Sequence, residues 1–285
     1  MMPRLPDIAL KTILKVGVFA ILAIAGLYVF GWAFIPFGYL VASALSVFAA
    51  AATANALGMR IYEHASLMEV GLGWSPASAR NVLLGLAGGI AAAVAILLGP
   101  LVAGAAELVK APGGQAQPSA ILMLLVILVF GGIGEELLFH GYGFQVLLGA
   151  LGPFATILPV SLLFAIAHGG NLNVSTLGLI NTGLWGVVLG YAFWRSGDLW
   201  LPIGLHVGWN WMLPLFGTNL SGFTMNVTGY VMRWKVGPLW SGGDYGPEGG
   251  LMTSVVVVLL FIWLATKAPV RRQRPFLLRE QWEDE

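Results

Sequence analysis

The sequence predicts an all-α, polytopic transmembrane helix bundle of about eight membrane-spanning helices. Of its 285 residues, 58% are hydrophobic and only 9% are charged, against roughly 25% charged in soluble globular proteins. Mean hydropathy is +0.85. Apolar stretches near the ~20 residues needed to cross hydrocarbon recur along the whole length. A soluble multidomain organisation is excluded, and residues 1–285 read as a single transmembrane domain.

The expected helices run over roughly 12–34, 38–58, 78–104, 119–149, 153–170, 174–195, 199–217 and 250–267. Arg4, Lys11 and Lys15 precede the first apolar stretch, which is longer than a secretory h-region and runs into GWAFIPFG without a small-residue cleavage site. It reads as a retained first span. Between the second and third spans, 59–77 mixes charged and apolar residues and suggests an interfacial helix on the cytoplasmic face, with His64 at the surface. The third span carries a small-residue spacing, Gly85 to Gly89, that permits close helix approach. The long loop 218–249, rich in Gly, Asn, Ser and aromatics, reads equally as a cap over a cavity or as an ordinary connector. The tail 270–285 is charged and expected to be exposed.

Charge placement fits an even number of spans. With both termini cytoplasmic, 11 of the 14 basic residues fall in inside segments and only Lys110, Arg233 and Lys235 fall outside. The absence of cysteine rules out disulfides, thiolate metal ligands and a cysteine nucleophile. A net charge of +1, with no basic stripe, argues against a nucleic-acid partner. The lipid bilayer is the expected surrounding, and no internal repeat supports a transporter of the inverted-repeat kind.

Polar residues interrupt the apolar spans at only a few places. Glu135 and Glu136 close the run GGIGEELLFH with no lysine or arginine nearby in sequence. His168 ends FAIAH, and His206 and Asn210 lie one helical turn apart in HVGWN. Ionisable groups at bilayer depth are costly and usually mark function. On a helix, Glu136 and His140 share a face and Glu135 points about 100° away, so the two carboxylates need not do the same job. If 119–149 were one straight helix reversing at Gly149–Pro153, Glu135 and His168 would sit at equal heights on antiparallel neighbours. By the same rise, His206 lies shallower unless its helix tilts strongly or the hairpin tip protrudes.

Together the three motifs resemble the CPBP family of intramembrane endopeptidases, which includes the type that trims prenylated CAAX proteins and many bacterial members. The family pattern is a glutamate pair with an arginine four residues beyond the second, then Phe-x-x-x-His, then His-x-x-x-Asn. Here they are Glu135–Glu136, Phe164 with His168, and His206 with Asn210, in order over a core of roughly 119–217. The resemblance implies an intramembrane peptidase in a bacterial inner membrane, with a protein or peptide substrate entering from the membrane or the cytoplasmic side. It implies Glu135 as general base, with His168 helping to position or deprotonate the water. His206 and Asn210, one turn apart, can both donate toward one point, as an oxyanion hole requires. Phe164 would line the pocket.

One position departs from the pattern: His140 stands where the family has arginine. The resemblance implies that the arginine pairs with the second glutamate, and a histidine can still bond Glu136 as a shorter, titratable partner. Glutamate catalysis would require no cofactor. Glu136, His140, His168 and His206 could alternatively ligate zinc, and Glu136 with His140 could be a structural pair. Two other functions use the same residues: a non-catalytic membrane scaffold or immunity protein, and a proton-coupled transporter with a Glu/His relay.

Overall fold

A computed structural model of the chain describes residues 5–278. The elements are helices α1 (Leu5–Phe34), α2 (Tyr39–Tyr62) and α3 (Pro76–Val102), strand β1 (Ala106–Lys110), helices α4 (Pro118–His140), α5 (Tyr142–Leu151), α6 (Pro153–Ala167), α7 (Thr176–Ser196) and α8 (Trp200–Leu215), strand β2 (Tyr230–Trp234), and helices α9 (Pro238–Ser241) and α10 (Leu251–Thr266). Each of the eight expected apolar segments is helical. Six are long and apolar enough to cross a membrane, with α4 and α5 counted as one run. The segments at 199–217 and 250–267 give shorter helices of 16 residues each. The chain is an all-α integral membrane protein.

Local chemistry sets the boundaries. Ser75 accepts from the Ser78 amide and Pro76 occupies the first turn, which starts α3 two residues before the expected position. Ser175 caps α7 through the Gly178 amide, and Gly197 ends it in the left-handed region. Asp198 then accepts from the Leu201 amide and satisfies a free donor at the start of α8.

Three expectations change. The segment 59–77 is not an interfacial helix: α2 runs on to Tyr62, His64 turns the chain at φ 52°, and only a 3-10 turn at Leu67–Val70 follows. His64 is exposed, as expected. The loops contain an antiparallel ribbon, β1 with β2, in register from Ala106 opposite Trp234 to Lys110 opposite Tyr230. The described part of the tail is docked rather than free. Arg271 exchanges backbone bonds with Asn81, Gln273 bonds Ser75, Ser78 and Asp198, and Leu278 is 1% exposed. Residues 279–285 lie outside the described residues.

Helix packing places the site. Helix α2 packs on α1 and α4, α3 on α8, α6 on α7, and α10 on α7 and α3. In lipid, helices associate through close van der Waals contact, which small residues permit. At Gly85 and Gly89 a Cβ would come within 2.3 Å of the Leu201 carbonyl and 2.2 Å of the Leu205 carbonyl, so α3 and α8 touch backbone to backbone. On α4, a Cβ at Gly134 would meet the Phe48 amide of α2 at 2.6 Å. Two hydrophobic clusters result, and α8 contributes to both, Leu205 to one and Val207 to the other. The polar residues of α8 therefore lie on the seam between them.

Gly89→Ala should disrupt the α3–α8 contact and destabilise the protein by about 2 kcal/mol or more. The control Gly17→Ala, whose Cβ would meet nothing within 4 Å, should leave stability unchanged or slightly raised. Thermal melting of both variants in detergent checks this.

Candidate active site

Helix α4 ends at His140, and Gly141 leaves the helical path before α5 begins. Asn55 of α2 fills the break. Its amide donates to the Leu137 carbonyl at 2.8 Å, and its oxygen accepts from the Tyr142 amide at 2.6 Å. A Cβ at Gly141 would lie 2.2 Å from that oxygen, so only glycine fits. The bend removes the assumption of one straight helix, on which the depth mismatch of His206 rested. Tyr142 and Lys15 both bond Glu63, at 2.8 and 2.7 Å, and anchor the start of α5 to α1 and α2.

The two glutamates separate as their helical positions require. Glu136 is fully buried. One of its oxygens accepts from His140 Nδ1 and the other from His206 Nδ1, each at 2.7 Å. Glu135 points to the other side, and its side chain is 27% exposed. Glu135 Oε2 lies 3.7 Å from both His168 Nε2 and His206 Nε2 and has no hydrogen-bond partner.

His168 sits where α6 passes into a 3-10 turn, and its Nδ1 donates to the Phe164 carbonyl at 2.8 Å. Because a carbonyl only accepts, the Nδ1 proton is fixed and Nε2 is left facing Glu135. The Phe164 ring lies 4.6 Å from the His168 ring and, edge-on, 6.2 Å from that of His206.

Glu135, Phe164, His168, His206 and Asn210 line one cavity of about 340 Å³. Glu136 and His140 stand behind its wall. The sequence grouped all seven residues; the structure divides them into five at the cavity and two behind it, Glu136 bonded to His206 and His140 bonded to Glu136. Both Glu136 oxygens already accept imidazole N–H bonds, so Glu136, His140, His168 and His206 do not converge on one point. Among the described residues, no group of three or more His, Cys, Asp or Glu side chains could hold a metal ion, and the zinc alternative gains no support.

The loop 218–249 closes one side of the cavity with Leu220, Ser221, Phe223 and Met225, joined by Glu248. Of its two readings, the cap is the one that holds. Sequence reasoning missed Glu248. Its oxygens accept from Trp209 Nε1 at 3.0 Å and from the Ser221 backbone amide and hydroxyl. A lone carboxylate within GPEGG, immediately before an apolar helix, was the available signal. Asn55 was also missed, although an asparagine inside AAAATANALG is the same kind of polar intrusion as Glu135.

Residues 117–212, about a third of the chain, match the model of a family described as Rce1-like, the type II CAAX prenyl endopeptidases. The match runs from α4 into α8 and includes every motif residue, so the CPBP resemblance holds over this segment. No curated protein and no solved structure matches the chain.

His140→Leu should leave a buried Glu136 oxygen without a donor and cost about 3 kcal/mol. Glu136→Leu in the same protein should restore part of the loss, because removing the uncompensated charge outweighs removing the bond. Melting temperatures of the single and double variants test this pairing.

Proposed function

We propose that this integral membrane protein is a CPBP-type intramembrane endopeptidase that hydrolyses a peptide bond with a water activated by Glu135. The observation that carries the proposal is the convergence of the Glu135 carboxylate with the Nε2 atoms of His168 and His206, each 3.7 Å away, at one cavity. Three groups from three helices, too far apart to bond one another directly, can share one water molecule.

In the proposed reaction, a carboxylate oxygen of Glu135 takes a proton from the water while His168 Nε2 accepts its other O–H and orients it. The water oxygen adds to the scissile carbonyl carbon. An imidazolium at His206, held through Nδ1 by Glu136, presents Nε2–H to the resulting oxyanion, and the Asn210 amide, one turn on, supplies a second donor. Glu135 returns the proton to the amide nitrogen, the C–N bond breaks, and a carboxylic acid and an amine leave. Glu136 and His140 touch none of the reacting atoms; they are positioning residues. No cofactor is required in this scheme.

The substrate is a protein or peptide that enters from the membrane or the cytoplasmic side, and nucleic acid has no part. We place the protein in a bacterial cell membrane with both termini cytoplasmic. The 11-to-3 distribution of basic residues supports that orientation.

Glu135→Gln should abolish cleavage of a quenched, membrane-anchored peptide library in proteoliposomes while leaving melting unchanged. Asn210→Ala should lower kcat by about 10²–10³-fold, the usual cost of one oxyanion donor. Undiminished cleavage by Glu135→Gln would overturn the mechanism.

A further inference from the structure

The mechanism leaves two features of the cavity unused, and both lie on the side closed by the loop. Glu248 is held rigidly by three donors, Trp209 Nε1 and the Ser221 amide and hydroxyl. No lysine or arginine is among the residues that line the cavity, and the one cation of the proposed mechanism, the His206 imidazolium, is bonded to Glu136 rather than to Glu248. A half-buried carboxylate held rigidly in a cavity wall is placed to accept a charge-assisted hydrogen bond from a cationic group. Trp185 also lines the cavity and is 6% exposed, and its indole N–H meets no acceptor. Buried indole N–H groups nearly always find a partner. The Trp185 and Trp209 rings lie 4.9 Å apart at 54°, and aromatic faces attract cations.

Glu248 is bonded to no cationic group, Trp185 lacks an acceptor, and a peptide with a basic group carries both. We propose that Glu248 and Trp185 form a substrate subsite: Glu248 pairs with a basic side chain or free amino group, and the Trp185 N–H donates to a backbone carbonyl. The proposal rests on the reading of the cavity as a peptide site. Trp209, which pins Glu248, directly precedes Asn210 and follows His206 by three residues. The basic group therefore binds close to the scissile bond, on the loop side. The rival role for Glu248 is a purely mechanical anchor of the loop to α8.

Binding separates the two. The probes are capped, apolar nonapeptides with a single central Lys, Gln or Glu, titrated calorimetrically into the full-length protein in nanodiscs with Glu135→Gln to prevent turnover. The Lys peptide should bind about tenfold tighter than the Gln peptide, and the Glu peptide weakest, as for one charge-assisted hydrogen bond. Glu248→Gln should bring all three within about twofold, whereas Glu248→Asp should keep their order. Trp185→Phe should weaken all three by a similar factor of about five, as for one neutral hydrogen bond. Equal binding of the Lys and Gln peptides, or no binding of any peptide, overturns the subsite. So does uniform weakening by Glu248→Gln with a lower melting temperature, which would mark the residue as a loop anchor only. Cleavage is assayed separately with Glu135 intact. Charge-ordered binding without cleavage would sink the peptidase reading and leave the subsite standing; cleavage without charge-ordered binding would do the reverse.

Discussion

Glu136 is fully buried, and each of its oxygens accepts one imidazole N–H, from His140 on its own helix and from His206 on α8. A carboxylate withdrawn from water is costly unless its bonds are complete, so this group fixes two side chains at once. The bond to His206 ties α4 to α8 and turns the other imidazole nitrogen toward Glu135. Asn210, one turn further along α8, reaches the cavity through the same tie. The arginine of the family pattern is absent, but His140 Nδ1 reaches Glu136 at 2.7 Å and supplies the second donor.

That arrangement depends on helices brought unusually close. Between membrane helices, lipid offers no hydrophobic force to exploit, so packing detail and interhelical hydrogen bonds decide the geometry. Gly85 and Gly89 let α3 support α8, and Gly134 lets α2 support α4 directly beside the glutamate pair. Asn55 bonds both sides of the α4–α5 break, and Asp198 bonds the start of α8. Asp198 is itself held by Asn81 at 2.9 Å and by Gln273 of the tail. Burial raises the Asp198 carboxyl above its ordinary range, and those donors offset part of the effect. Leu220, Ser221, Phe223, Met225 and Glu248 of the loop 218–249 close another side of the cavity.

Much of this was legible because ionisable residues in apolar runs are scarce. Glu135, His168, His206 and Asn210 each broke a hydrocarbon-length segment, and the i, i+4 spacing of Glu136 and His140 put them on one face. The proximity of Glu135 and His168 was legible too, although the straight helix assumed for it breaks at Gly141. The depth of His206 was not, because that bend depends on an asparagine from another helix, 82 residues from Leu137. The β1–β2 ribbon pairs residues 120 to 128 positions apart, and short strands leave little periodic trace. Glu248 is ordinary loop chemistry until Trp209 and Ser221 hold it at the cavity. The docked tail escaped for a similar reason: RRQRP reads as solvated charge, while Gln273 finds its partners only in the folded protein.

The proposed chemistry requires that Glu135, His168 and His206 share one water. A cryo-electron microscopy map of the full-length protein in nanodiscs, at a resolution that shows ordered solvent, tests this most directly. We predict a single ordered water within about 3 Å of the Glu135 carboxylate and of both Nε2 atoms, the ordinary hydrogen-bond range. Imidazoles turned away from Glu135, or side chains separated beyond the reach of one bridging water, would contradict it.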